Sequence, residues 1–167
     1  MTLLYSFAPI ADENARILIL GSMPGQASLD AGQYYAHKRN LFWPVMAELL
    51  QFDPSAGYEE RTAALRAAGI ALWDVLQSCK REGSLDANIE HATLTVNNFA
   101  EFFRQHRQIR HVFFNGEKAA SCFHRYVAKA DYPADLICQR LPSTSPANAS
   151  QSLAFKLQAW QRIMDVK

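Results

Sequence analysis

Hydrophobic residues along this chain fall into short blocks of two kinds that alternate. Arg16-Ile17-Leu18-Ile19-Leu20, Ile70-Ala71-Leu72-Trp73, Ile109 to Phe114 and Leu136 to Leu141 are continuous, mostly apolar runs. Runs this short, flanked by turn residues, fit strands covered on both faces. Gly21 closes the first and Asn115-Gly116 the third. Between them the spacing turns helical. Trp43 to Leu50 keeps Pro44 in its first turn, where a missing N–H is tolerated. Glu59 to Ala68 is rich in helix formers and stops at Gly69. Asn98 to His106 and Glu117 to Lys129 read as two more helices. Ser152 to Met164 closes the chain as a helix expected to bury Leu153, Leu157, Trp160 and Met164.

Four apolar strands separated by helices imply an α/β fold, a three-layer α/β/α sandwich around a central four-stranded parallel sheet. With no repeats, low-complexity tracts or linkers, residues 1–167 read as one domain. In such sheets ligands sit beyond the carboxyl ends of the strands. That rule selects four corners: Gly21–Gly25, Trp73–Asp74, Asn115–Gly116 and Leu141–Asn148.

Composition narrows the function classes. Hydrophobic residues are 49% and charged residues 20%, an ordinary globular balance, and the formal charge is +1. Binding to nucleic acid by bulk charge is therefore disfavoured, although a local basic face is compatible. Phe102 to Ala130 holds six basic residues (Arg104, Arg107, Arg110, Lys118, Arg125, Lys129) and one acid, Glu117. A nucleic-acid face is one reading of that bias and a solvated helix surface is the other. No apolar run is long enough to span a bilayer, and Met1 to Ile10 has no signal-peptide pattern. Cys79, Cys122 and Cys138 are odd in number and form no Cys-x-x-Cys pair, which argues against a metal centre or disulfide framework and fits the cytoplasm.

Three segments carry candidate chemistry. Gly21-Ser22-Met23-Pro24-Gly25 permits a sharp turn with backbone close to a ligand, though many plain turns look alike. Tyr34-Tyr35-Ala36-His37-Lys38-Arg39-Asn40-Leu41-Phe42-Trp43 crowds aromatics, cations and a carboxamide into one loop. Within it His37 is either a base or a hydrogen-bonded structural residue. Leu141-Pro142-Ser143-Thr144-Ser145-Pro146-Ala147-Asn148 sets three hydroxyls between prolines, a turn able to hold phosphate oxygens or simply a connection.

Together these segments resemble the uracil-DNA glycosylase superfamily, most closely its hypoxanthine-DNA glycosylase branch. The first motif of that branch is similar to Gly21-Ser22-Met23-Pro24-Gly25, Ser28-Leu29, Tyr34-Tyr35-Ala36-His37 and Asn40 with Phe42-Trp43. The second is similar to Leu141-Pro142-Ser143-Thr144-Ser145-Pro146-Ala147. Trp73-Asp74-Val75, Arg81-Glu82-Gly83-Ser84-Leu85-Asp86 and Phe114-Asn115-Gly116 match in order between them. The resemblance implies a monofunctional glycosylase that flips a deaminated base, hypoxanthine first, out of DNA and replaces it with water at C1′. It implies no cofactor or metal, and DNA as partner; the sequence gives no sign of a protein partner.

Carried over by position, Asn40 is the catalytic candidate, its carboxamide oxygen orienting a water; the other reading is a helix cap. Met23, Phe42, Trp73, Asp74 and Asn115 correspond to the base pocket, with Phe42 stacking on the flipped base. Ser22, His37, Ser143, Thr144 and Ser145 correspond to the DNA-binding set. Three departures stand out: Met23 where uracil-excising relatives place Asp or Asn, Leu141 where they place His or Asn, and Lys38 where a proline is expected. No leucine wedge is obvious after the second motif. The alternatives are a uracil or mismatch glycosylase, a damaged-DNA-binding module without catalysis, and a hydrolase using Ser143 or Ser145 with His37, which lacks a Gly-x-Ser-x-Gly elbow.

Overall fold

A computed structural model describes residues 2–167. Its central sheet is formed by β2 (Ile17–Gly21), β3 (Ile70–Asp74), β6 (His111–Asn115) and β7 (Ile137–Leu141), all parallel in the order β3-β2-β6-β7. The connecting helices are α1 (Gln26–Ala31), α2 (Phe42–Leu50), α3 (Tyr58–Ala67), α4 (Phe99–Gln105), α5 (Glu117–Tyr126), α6 (Leu153–Trp160) and α7 (Arg162–Asp165).

Alternation along the strands explains the three layers, because successive side chains point to opposite faces. Ile17, Ile19, Ile70, Leu72 and Phe113 pack with Phe42, Val45, Met46, Leu65, Trp160 and Ile163, so α2, α3, α6 and α7 cover one face. Leu18, Leu20, Ala71, Val112 and Phe114 pack with Phe99, Phe102, Phe103 and Phe123, so α4 and α5 cover the other. Strands buried on both sides need no polar alternation, which is why they read as unbroken apolar runs.

Two features differ from the sequence expectation. A second, antiparallel sheet joins β1 (Leu3–Tyr5), β4 (Leu76–Lys80) and β5 (Thr95–Val96), in the order β1-β4-β5. Its strands are short and mixed in polarity, so no hydrophobic block marks them. The last helix buries Trp160 and partly buries Leu157 and Met164 as expected, but not Leu153. Lys156, Trp160 and Ile163 point inward, whereas Leu153 is 42% exposed. The Lys156 ammonium donates to the Asn148 carbonyl at 2.9 Å, so a charged side chain takes an inner position that apolar spacing assigns to leucine.

Candidate functional site

All four parallel strands end at the same cleft, of about 940 Å³. In register, Gly21 of β2 lies beside Asp74 of β3, and Asn115 of β6 beside Leu141 of β7; all four residues line the cleft. The corners selected from the sequence therefore converge, and the loops leaving them form the walls.

The first wall is the Gly21–Gly25 turn, held from behind. The Val75 and Leu76 amides donate to the Gly21 and Ser22 carbonyls at 2.8 and 3.1 Å. Arg81 is buried and donates from Nη2 to the Pro24 carbonyl at 2.7 Å and from Nε to the Gly83 carbonyl at 2.8 Å. Ser84 Oγ accepts the Gln26 amide, and Ser22 Oγ donates to Asp86 Oδ1 at 2.7 Å. The Arg81–Asp86 loop is thus stitched onto the first motif. Sequence reasoning matched this loop in order without giving it a role; the buried arginine in a Gly-Ser turn is the signal that marks it.

The second wall is the Leu141–Asn148 loop, locked to β6 by one side chain. Asn115 Oδ1 accepts the Thr144 amide and Asn115 Nδ2 donates to Thr144 Oγ1, both at 2.9 Å. Gly116 has φ of 97°, and a Cβ there would meet Ser143 Cβ at 3.0 Å, so this close approach of two loops requires glycine. Ser143 Oγ and Ser145 Oγ accept the Ser145 and Ala147 amides, which leaves each hydroxyl hydrogen free to donate. The two walls meet directly: the Leu41 amide donates to the Thr144 carbonyl at 3.0 Å.

Asn40 lies on the cleft next to that junction. Its Oδ1 accepts the Phe42 amide at 2.9 Å, so it does cap the entry to α2. Among the described residues its Nδ2 has no acceptor and Oδ1 has no second donor. The cap therefore fixes the carboxamide while leaving it chemically available.

The sequence-assigned residues divide in the structure. Met23, Asp74, Asn115, Ser22, His37, Ser143, Thr144 and Ser145 all line the cleft with Asn40. Phe42 and Trp73 do not. Phe42 is fully buried, stacked on Tyr35 with ring centroids 4.2 Å apart and edge-on to Trp43 and Trp160. Its ring is closed off from the cleft, whereas Tyr35, stacked on it, lines the cleft. Trp73 packs on Phe99 and Phe102 under the opposite face and donates from Nε1 to the Phe7 carbonyl. Thr144 has no exposed surface, so its side chain serves the Asn115 clamp rather than DNA. His37 is exposed, and its Nδ1 accepts the Arg39 amide rather than approaching either serine, which removes the basis for a Ser/His hydrolase. Of the six basic residues between Phe102 and Ala130, Lys118 alone lines the cleft, so that charge bias is mainly solvated surface.

The cleft floor is electrostatically unusual. Asp74 is 3% exposed and its Oδ2 has no hydrogen-bond partner. Burial, reinforced by the Asp86 carboxylate and opposed by Arg81, pushes its pKa up to about 7. Asp86 is raised as well, by burial, despite the Ser22 hydroxyl. The Tyr35 hydroxyl is buried with no partner in good hydrogen-bond geometry among the described residues; burial, then Asp74, hold it well above the usual phenol range, and the nearby Asn115 side chain opposes them. Tyr35 sits at φ of 54°, a left-handed conformation uncommon for an aromatic residue. Among the described residues, no group of three or more His, Cys, Asp or Glu is placed to hold a metal ion. No helix among them is long and apolar enough to cross a membrane.

A parallel sheet carries a cleft across its strand ends, walled by Gly-Ser-Met-Pro-Gly and Pro-Ser-Thr-Ser-Pro turns. The chain belongs to the Uracil DNA glycosylase superfamily, whose family model matches residues 8–164. A Methanosarcina barkeri (strain Fusaro / DSM 804) protein named Hypoxanthine DNA glycosylase is 40% identical over 114 residues, 68% of this chain and 71% of that protein. A protein of the same name from Methanosarcina acetivorans is 33% identical over 143 residues, 85% of this chain and 86% of its own. The solution NMR structure of a candidate uracil DNA glycosylase from Methanosarcina acetivorans matches with a TM-score of 0.80 at 30% identity, covering 97% of this chain and 96% of that one. DNA glycosylases are hydrolases of N-glycosidic bonds, and this chain is an enzyme of that class.

Proposed function

We propose that the enzyme removes hypoxanthine from deaminated DNA by hydrolysis, leaving an abasic site. The observation that carries this reading is the junction of the two walls, where the Leu41–Thr144 bond sets Asn40 beside the Ser143–Ser145 turn on one cleft. Two relatives that bear the name Hypoxanthine DNA glycosylase support the choice of base.

In this reading a nucleotide leaves the duplex because its glycosidic bond is unreachable in the stack. Ser143 and Ser145 donate their free hydroxyl hydrogens to backbone phosphate oxygens, while Lys118 at the cleft adds positive charge; Arg140 is ion-paired with Glu117. The base enters between Met23 and the Tyr35–Asp74 floor. Asn40, clamped through Phe42, places a water against C1′ as oxocarbenium character develops. Met23 is chemically inert, so water placement falls to Asn40. The Asn115 carboxamide is largely spent on Thr144, which disfavours its use as the reader of a uracil edge.

The test is release of free base from matched duplexes holding one hypoxanthine or one uracil, with alkaline cleavage reporting abasic sites. Hypoxanthine release that is lost in Asn40→Ala, with duplex binding kept, supports the reading. Uracil release alone would move the enzyme to the uracil branch. Binding with neither base released would make it a recognition module.

A further inference from the structure

The fold leaves two buried polar groups unused in one corner of the cleft floor: Asp74 Oδ2 and the Tyr35 hydroxyl. The corner is tight. A Cβ built on Gly21 would lie 2.5 Å from Asp74 Oδ1 and 3.0 Å from Tyr35 Oη, so only glycine lets them share it. No cation is paired with the carboxyl. Arg81, the opposite charge it feels, directs Nε and Nη2 to the Gly83 and Pro24 carbonyls, and its third nitrogen, Nη1, is buried without bonding the carboxyl. The other ionisable groups around it are Asp86, engaged by Ser22, and the phenols of Tyr34 and Tyr35. Burial and the Asp86 carboxylate, opposed by Arg81, let this carboxyl hold its proton up to about pH 7, and in that acid form it is a hydrogen-bond donor.

We propose that Asp74, in its acid form, is the general acid that protonates N7 of the departing purine. The inference rests on the functional reading above. As the C1′–N9 bond breaks, its electron pair passes into the purine, and the Asp74 proton moves to N7. Hypoxanthine then leaves as a neutral molecule and Asp74 is left as carboxylate. The water oxygen forms the new bond to C1′, and the proton it sheds restores the Asp74 acid. Uracil has no imidazole nitrogen to receive that proton, so the same group selects for a purine.

The experiment is single-turnover base release from a duplex containing 2′-deoxyinosine, between about pH 5 and 8, for wild type and Asp74→Asn. General acid catalysis contributes on the order of 100-fold or more. The variant is expected to be slower by at least that factor at pH 6, with a flat profile where the wild-type rate declines above neutrality. A duplex containing 7-deaza-2′-deoxyinosine, which has carbon in place of N7, tests the same step without altering the protein; its base should leave wild type no faster than hypoxanthine leaves Asp74→Asn. Three outcomes overturn the proposal alone: an unimpaired variant, a wild-type rate that holds through pH 8, or rapid release of the 7-deaza base. A wild-type enzyme that releases uracil but no hypoxanthine overturns the functional reading and this inference with it.

Discussion

Replacing Asn115 with alanine separates two accounts of the same residue. By its place at the carboxyl end of β6 it belongs to the base pocket; by its bonds it is the clamp that holds the Ser143–Ser145 turn. The variant removes two hydrogen bonds of 2.9 Å, to the Thr144 amide and hydroxyl. At about 1 kcal/mol net each, their loss costs about 2 kcal/mol. Thr144 has no exposed surface, so its amide also loses a partner that water cannot readily replace, which adds about 1 kcal/mol or more. A total of about 3 kcal/mol corresponds to a Tm fall of roughly 6–12 °C for a chain of this size. The assay is thermal or urea unfolding, run with Thr144→Val and the double variant. Thr144→Val deletes the hydroxyl bond alone, so the cycle should return a coupling of about 1 kcal/mol. If Asn115→Ala unfolds within about 1 °C of wild type while losing base release, the clamp account is wrong and Asn115 reads the base directly.

Three further outcomes are expected. Asn40→Ala should slow base release by on the order of 100-fold or more, while electrophoretic shift shows duplex binding within about threefold of wild type; equal loss of both would make Asn40 only a cap. Gly21→Ala puts a Cβ 2.5 Å from Asp74 Oδ1, an overpacking that should cost about 1–3 kcal/mol in urea unfolding and displace the carboxyl, so an unaltered, fully active variant would contradict the tight corner. Asp74 is more easily protonated folded, at about 7, than at its ordinary 3.8, so its ionisation opposes folding as pH rises through that window; wild type should lose stability relative to Asp74→Asn between about pH 4 and 7, by up to a few kcal/mol, and parallel stability curves would refute the burial argument.

Hydrophobic pattern was enough to find the four parallel strands, because strands covered on both faces have no reason to alternate. It was equally enough to find the cleft, since the carboxyl ends of those strands carry Gly21, Asp74, Asn115 and Leu141. What it missed has physical causes. β1, β4 and β5 are held by pairing between distant segments, such as Leu3 with Lys80, and local periodicity does not encode such pairing. Phe42 follows Asn40 so closely that motif position suggests a shared site, yet helical geometry turns its ring into the core against Tyr35. Lys156 takes an inner place on α6 because the Asn148 carbonyl satisfies its ammonium, a partner invisible in a helical wheel. Tyr35 stood within the quoted motif; its importance depends on a left-handed backbone that places its hydroxyl beside Asp74, which residue type alone does not reveal.

The polar groups of the cleft fall into two sets by how their bonds are used, and the division itself is informative. Asn115, Thr144, Arg81, Ser84 and Ser22 bond to one another's loops and hold the walls in place. Among the described residues Asp74 Oδ2 and Tyr35 Oη have no hydrogen-bond partner, and Arg81 keeps one nitrogen, Nη1, in the same state behind the wall, although each such buried group costs about 1–3 kcal/mol. A fold selected for stability alone would fill that corner with apolar side chains, as it does one strand away at Leu20 and Phe114. The neighbouring bonded set shows that partners for buried polar groups are readily built into this sheet end. Asp74 Oδ2 and Tyr35 Oη lie together at the cleft floor, and the acid role proposed for Asp74 would give that carboxyl the partner the fold withholds.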